Sequence, residues 1–228
     1  MTITRRLSPP LAALILLLFT APLLFAESGE STRVEDPEQH AFQGGGGYPF
    51  RTRSDYVMQE LDLKPGDVVA DIGAGDGIWS AHFAEAVGED GVVHAGEVAQ
   101  GKVDGMIERF EDTPQVKPYL CPFDNTGLEE DSLDLLYLSK TYHHIEADIR
   151  VDYWNHLRDV VKPTGRVAII EHYQKLAQGR MTEHAYSPGK MITEAEEAGW
   201  ICVRSEMMTG THHFIAIFVQ AEMFPLEE

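Results

Sequence analysis

The chain has 228 residues, 43% of them hydrophobic, and sets 37 Asp and Glu against 18 Lys and Arg for a formal charge of −19. That balance excludes a nucleic-acid backbone as the main partner, because phosphate affinity rests on clustered lysine and arginine; solubility is the plain role of the acidity. Without its leader and linker, the chain leaves roughly 180 residues, the size of one domain with one core.

Met1 to Ala26 read as a leader. Arg5 and Arg6 precede an apolar run from Leu11 to Phe25, broken by Thr20 and Pro22, and the small residue Ala26 stands before Glu27. This is secretory signal grammar. The run is shorter than the ~20 residues of a membrane-spanning helix, yet Leu24 fits the small-residue cleavage rule poorly, so an uncleaved anchor stands beside cleavage. The two arginines put the domain on the far side of the membrane in either case. The expectation is export to the periplasm or cell envelope, with membrane association through a retained leader. Residues 27–47, acidic, polar and ending in Gly44 to Gly47, form a linker, and 48–228 form the domain.

Within the domain, Ser54 to Leu61 has helical spacing and "LKPGD" makes a turn. Strand and helix then alternate: strand Val68–Asp71, helix Ile78–Val87, strand Gly91–Val98, helix Lys102–Phe110, strand Val116–Cys121 and strand Leu133–Ser139. Helix Ile149–Val161 follows, "KPTG" turns it, and Arg166–Glu171 is a fifth strand. A helix opens at Pro188, its first position, and two strands, Trp200–Met207 and His212–Val219, end the domain. Alternation of this kind implies an α/β fold, a doubly wound, mostly parallel sheet with helices on both faces. Cys121 and Cys202 fall on strands at opposite edges, beyond disulfide reach, and are expected free.

The stretch "VVADIGAGDGIWS" closes a strand on Asp71 and three glycines, Gly73, Gly75 and Gly77, before a helix. Backbone approach and a helix N-terminus meet there, as nucleotide loops require. A dinucleotide fingerprint needs glycine at 78, which is isoleucine. Asp71 would repel a pyrophosphate and attract a cationic amino-acid moiety, so a nucleoside with an ammonium and a sulfonium fits better.

The set of motifs resembles the Rossmann-like class I S-adenosylmethionine-dependent methyltransferases, over roughly Arg51 to Val219. Glu97 ends the second strand about 20 residues past the last glycine, where an acid accepts from both ribose hydroxyls. "EEDSLDLLYLS" resembles the family's fourth-strand motif, "LRDVVKPTGRVAIIEH" its next helix and strand, and "HAYSPGKMITEAEEAGW" the helix of the ubiquinone/menaquinone-type subgroup and its envelope-associated relatives. The resemblance implies strand order 3-2-1-4-5-7-6 with the last strand antiparallel, and S-adenosylmethionine as cofactor, held by Asp71, Gly73, Gly75, Gly77, Glu97 and Ser139. The family's acid after the third strand is replaced by Pro122; Asp124 or Asn125 is expected to take its adenine contact, with Phe123 on the adenine face or in the core.

Ligands of open parallel sheets bind at the carboxyl edge, and histidines gather there. "SKTYHHI" puts Tyr142, His143 and His144 past the fourth strand; Glu171 and His172 follow the fifth; His184 precedes the last helix; "THHF" brings His212 and His213. Methyl transfer to oxygen or nitrogen releases a proton, and a histidine near its ordinary pKa is a suitable base. His143 or His144, with Tyr142, is expected in that role, and Glu171, His172, His184 and His213 in a pocket for a small-molecule acceptor. A zinc or iron site drawn from the same side chains is an alternative without the usual ligand spacing; so are polar lid residues with no chemistry, and an exported, non-catalytic nucleotide-binding sensor or scaffold. Arg51 and Arg53 are expected either over the cofactor carboxylate or in solvent.

Overall fold

The computed structural model describes residues 54–173, 185–209 and 211–224. The leader, the linker, Arg51, Arg53 and His184 lie outside the described residues. Helices α1 (Ser54–Leu61), α2 (Ile78–Val87), α3 (Gln100–Arg109), α4 (Arg150–Val160) and α5 (Pro188–Glu197) flank one sheet. Its strands are β1 (Val68–Ile72), β2 (Val92–Glu97), β3 (Val116–Leu120), β4 (Leu133–Ser139), β5 (Val161–Tyr173), β6 (Ala185–Tyr186), β7 (Trp200–Met207) and β8 (His213–Gln220).

The strand order is β3-β2-β1-β4-β5-β8-β7, with the two-residue β6 paired to the end of β5. Pairs from β3 through β5 are parallel, and β8 runs antiparallel to both β5 and β7. Leaving β6 aside, this is the expected order.

Period-two alternation explains how one sheet serves two cores. On β4, Leu135 and Tyr137 face α1 and α2, packing with Val57, Leu61 and Phe83, whereas Leu136 and Leu138 face Trp154, Leu157 and Met191 of α4 and α5. Every one of these side chains is fully buried, each contributing about 1.5–3 kcal/mol of transfer free energy.

One expectation needed correction. "KPTG" does not end β5's approach; it lies inside the strand, whose register jumps from Leu133↔Val161 to Leu135↔Arg166. The chain can bulge there without leaving the sheet, which is how proline and glycine are tolerated in a ladder. β6 has too few residues for any periodic signal. Pro188 opens α5 as expected, but Ser187 makes no side-chain capping bond. Cys121 and Cys202 are free, one following edge strand β3 and the other on edge strand β7. No helix among the described residues is long and apolar enough to cross a membrane.

Candidate active site at the carboxyl edge

The carboxyl ends of β1, β2, β4 and β5 surround a cavity of about 630 Å³. Gly73 and Glu97 line one side; Ser139, Lys140, Thr141, His143, His144 and His172 line the other. Cys121, Pro122 and Phe123 form a third wall.

The glycine loop is shaped by backbone that only glycine adopts cheaply. Gly73, Gly75 and Gly77 have φ of +74°, +60° and +74°, the left-handed region. A Cβ on Gly73 would sit 2.3 Å from Thr141 Oγ1, and one on Gly77 2.5 Å from the Phe110 ring. The loop therefore nests against β4's exit and against α3. Gly73 and Ala74 donate their N–H groups to the Gly96 carbonyl at 2.8 and 3.0 Å, tying the loop to β2.

Glu97 is held by three backbone donors: Gly75 N–H reaches Oε2 at 3.0 Å, and Val98 and Ala99 N–H reach Oε1 at 2.8 and 3.2 Å. Its carboxylate is thus oriented before any ligand arrives, with lone pairs to spare for a vicinal diol. The Ser139 hydroxyl is buried on the opposite wall, beside the Tyr137 hydroxyl. An anchored carboxylate, an open glycine loop and a buried hydroxyl fit a polar nucleoside with an amino-acid tail.

Asp71 has a different place from the one expected. It is 2% exposed and does not line the cavity; it accepts a 2.6 Å bond from the Ser80 hydroxyl of α2. Burial pushes its pKa up to about 7, with the Ser80 bonds opposing and the Glu97 charge adding. Asp71 ties the loop's helix to β1, beneath the cavity floor rather than on it.

On the wall past β3, Asp124, expected at the cavity, is exposed, accepts from the Asn125 amide at 2.8 Å and does not line the cavity. Asn125 Oδ1 is taken by Gly127 N–H at 2.8 Å. What lines that wall is apolar: Val98, Phe123 and Cys121. Phe123 is 57% exposed, not core, and burial raises the Cys121 thiol to about 11. The wall is braced from behind by His156 Nε2, 3.0 Å from Thr126 N and 2.9 Å from Thr126 Oγ1.

The histidines divide by role. His143 Nδ1 lies 3.0 Å from both Glu171 carboxylate oxygens, and its backbone N–H donates to Oε1 at 3.2 Å. A carboxylate only accepts, so the proton sits on Nδ1 and Nε2 is the basic nitrogen. Glu171 is fully buried and does not line the cavity; it serves His143. His144 is exposed and lies against His143, ring centroids 4.0 Å apart. His172 lines the cavity with His213 beneath it, centroids 4.2 Å apart. His213 is 2% exposed, its pKa pushed down to about 3 by burial, His172 and Lys140; it is a neutral support.

Tyr142, expected beside the acceptor, is in the core. It is fully buried, accepts from Trp154 Nε1 at 2.8 Å and donates to Glu194 at 2.9 Å. In a 3-10 turn (Tyr142–His144) consecutive side chains point apart, so facing His143 to the cavity turns Tyr142 inward. Glu194 also accepts from Tyr186 at 2.6 Å and pairs with the buried Arg150 at 3.6 Å, so the turn is pinned to α5.

Sequence reasoning missed Lys140, Thr141, Ile145 and Tyr153 as lining residues. Lys140 and Thr141 lie inside the quoted "SKTYHHI", but their roles depend on backbone conformation. Among the described residues no group of three His, Cys, Asp or Glu gathers as a metal site would require.

Comparison with known proteins points the same way. Residues 69–165 match the methyltransferase domain family. Demethylmenaquinone methyltransferase from Lysinibacillus sphaericus is 24% identical over 173 residues, 72% of this chain and 73% of that protein. Ribosomal RNA large subunit methyltransferase E from Chromohalobacter salexigens is 39% identical over 67 residues, 27% of this chain and 30% of that protein. The chain spans about a third of the length of some curated relatives it matches, 34% and 30% in two cases. A solved S-adenosylmethionine-dependent methyltransferase from Aquifex aeolicus superposes with a TM-score of 0.66 at 24% identity, over 75% of this chain and 92% of that one. The domain matched over residues 69–165, the strand order and the glycine loop facing Glu97 are those of the Rossmann-like class I S-adenosylmethionine-dependent methyltransferases, whose cofactor is S-adenosylmethionine.

Proposed function

We propose that the protein transfers a methyl group to a small-molecule acceptor, with His143 as general base. The observation that carries this reading is the His143–Glu171 pair on the cavity wall opposite Glu97. The bound cofactor supplies an activated methyl group on a sulfonium; the protein's work is alignment, exclusion of water and removal of one proton.

Glu97 holds the ribose, the glycine loop admits the amino-acid end, and Val98, Cys121 and Phe123 cover the base. His143 Nε2 takes the acceptor's proton, and Glu171 stabilises the imidazolium that results. An acid chain whose cavity lining holds one lysine suits a small molecule better than RNA. Likeness to demethylmenaquinone methyltransferase supports a conjugated ring compound as the first acceptor class to screen.

Export is the second part of the proposal, resting on the leader Met1 to Ala26; a reporter fused after residue 60 would show on which side of the membrane the domain lies. The test of activity is titration calorimetry with S-adenosylhomocysteine, followed by methyl transfer from S-adenosylmethionine across an envelope extract. Binding that is lost in Glu97→Ala, with methylation lost in His143→Ala, is expected. Binding without any methylation favours an exported sensor instead, and no binding removes the reading.

A further inference from the structure

Lys140 contributes a charge that the methyl-transfer scheme above does not call on. It is the one lysine or arginine among the described residues lining the cavity, in a chain of net charge −19. The one Asp or Glu among those lining residues is Glu97, across the cavity and fixed by three backbone donors. The cavity therefore has a negative end under β2 and a positive end past β4.

The backbone at Lys140 is held in an unfavourable conformation. Its φ is +55°. The other described non-glycine residues at positive φ, Asp62 and Asp131, are of a type that tolerates it; lysine is not. Lys140 N–H donates to the Ile170 carbonyl at 2.7 Å, Thr141 Oγ1 donates to the Ser139 carbonyl at 3.2 Å, and Thr141 fills the space where a Cβ on Gly73 would go. β5 and the glycine loop thus fix the residue from two sides. Strain kept by its surroundings at a ligand cavity marks a functional position. The Lys140 charge also helps hold His213 neutral, which puts the ammonium on the histidine side.

We propose, resting on the methyltransferase reading, that Lys140 forms an oxyanion subsite in this cavity, binding a carboxylate or ionised hydroxyl. Two sources share that chemistry: the acceptor, and the carboxylate at the cofactor's amino-acid end. A half-buried ammonium on the cavity wall pairs with either through a charge-assisted hydrogen bond.

The experiment is calorimetry on the full chain and on Lys140→Met with two probe pairs. S-adenosylhomocysteine and 5′-methylthioadenosine differ by the amino-acid carboxylate; benzoate and benzamide, titrated with and without S-adenosylhomocysteine, differ by an oxyanion. Loss of roughly tenfold in S-adenosylhomocysteine affinity with 5′-methylthioadenosine unchanged assigns the subsite to the cofactor. The same loss for benzoate alone assigns it to the acceptor, and Lys140→Arg should restore most of either. Affinities unchanged for all probes, or lowered equally for charged and neutral members, overturn the subsite. Failure of the parent protein to bind S-adenosylhomocysteine overturns the methyltransferase reading separately; the benzoate arm, run without nucleoside, then decides the subsite by itself.

Discussion

His143 and Glu171 form a buried pair, Nδ1 equidistant at 3.0 Å from the two carboxylate oxygens, with side-chain exposures of 5% and 0%. Glu171 comes from β5 and His143 from the turn after β4, so neighbouring parallel strands deliver the two halves to one edge. His143→Ala is expected to lower kcat by about 10²- to 10⁴-fold with S-adenosylhomocysteine affinity retained. Glu171→Gln keeps the shape but no longer favours the imidazolium, and kcat should fall while KM for the acceptor changes little. Full activity in His143→Ala would falsify the base assignment.

Tyr142 is one residue away and behaves differently. Tyr142→Phe removes the hydroxyl that links Trp154 to Glu194, leaving buried polar groups short of partners at about 1–3 kcal/mol. The expected result is a lower Tm and a much smaller loss of kcat than in His143→Ala. A loss of activity at unchanged stability would return Tyr142 to the reacting centre.

The glycines separate conformational strain from collision. Gly75→Ala meets nothing within 4 Å and carries only the cost of φ at +60°, about 1–2 kcal/mol. Gly73→Ala adds a contact of 2.3 Å with Thr141 Oγ1, so it should lower Tm further and weaken S-adenosylhomocysteine binding more. Equal effects in the two variants would mean that Thr141 yields without cost.

Asp71 makes stability fall as pH rises. Its pKa in the folded state is raised to about 7 from 3.8, so the folded form holds a proton that the unfolded form releases. The contribution is full below the unfolded value and is lost as pH climbs through the folded one. Subtracting urea midpoints of Asp71→Asn from those of the parent between pH 4 and 8 should isolate this slope; a flat difference would argue that the carboxylate stays ionised in the fold.

His156 works in the opposite sense. Its Nε2 accepts from Thr126 N–H, which requires the neutral ring, and burial lowers its pKa below 6.5. The stability it gives is present above the unfolded value and is lost as pH falls towards the folded one. S-adenosylhomocysteine affinity is expected to weaken with acid in the parent protein and to lose part of that dependence in His156→Ala, which should also unfold about 1–3 kcal/mol more easily.

The sheet was legible because its signals are local. Leu133 to Ser139 alternates between two cores, and apolar runs bounded by Gly and Pro mark β1 and β8. Gly73 and Glu97 stand out for the same reason: loop and acid have fixed places after β1 and β2. Direction was harder to read than position. Tyr142 and His143 are adjacent in sequence, and only the geometry of their turn decides which faces the ligand. Asp71 looked like a contact because its charge was visible, whereas the Ser80 hydroxyl that takes it, nine residues on, depends on how α2 leans against β1. Asp124 lost its expected contact to Asn125, a partner within the same short loop.

The antiparallel run of β8 has an evolutionary consequence. Every other strand at this edge ends there, but β8 begins there, at His213 under His172. The histidine wall of the cavity therefore rests on a strand that β4 and β5 separate from β1 and β2. Substitutions in β8 can therefore reshape the histidine wall while β1 and β2, with the glycine loop and Glu97, stay in place, which makes that strand the natural place to begin a directed-evolution library.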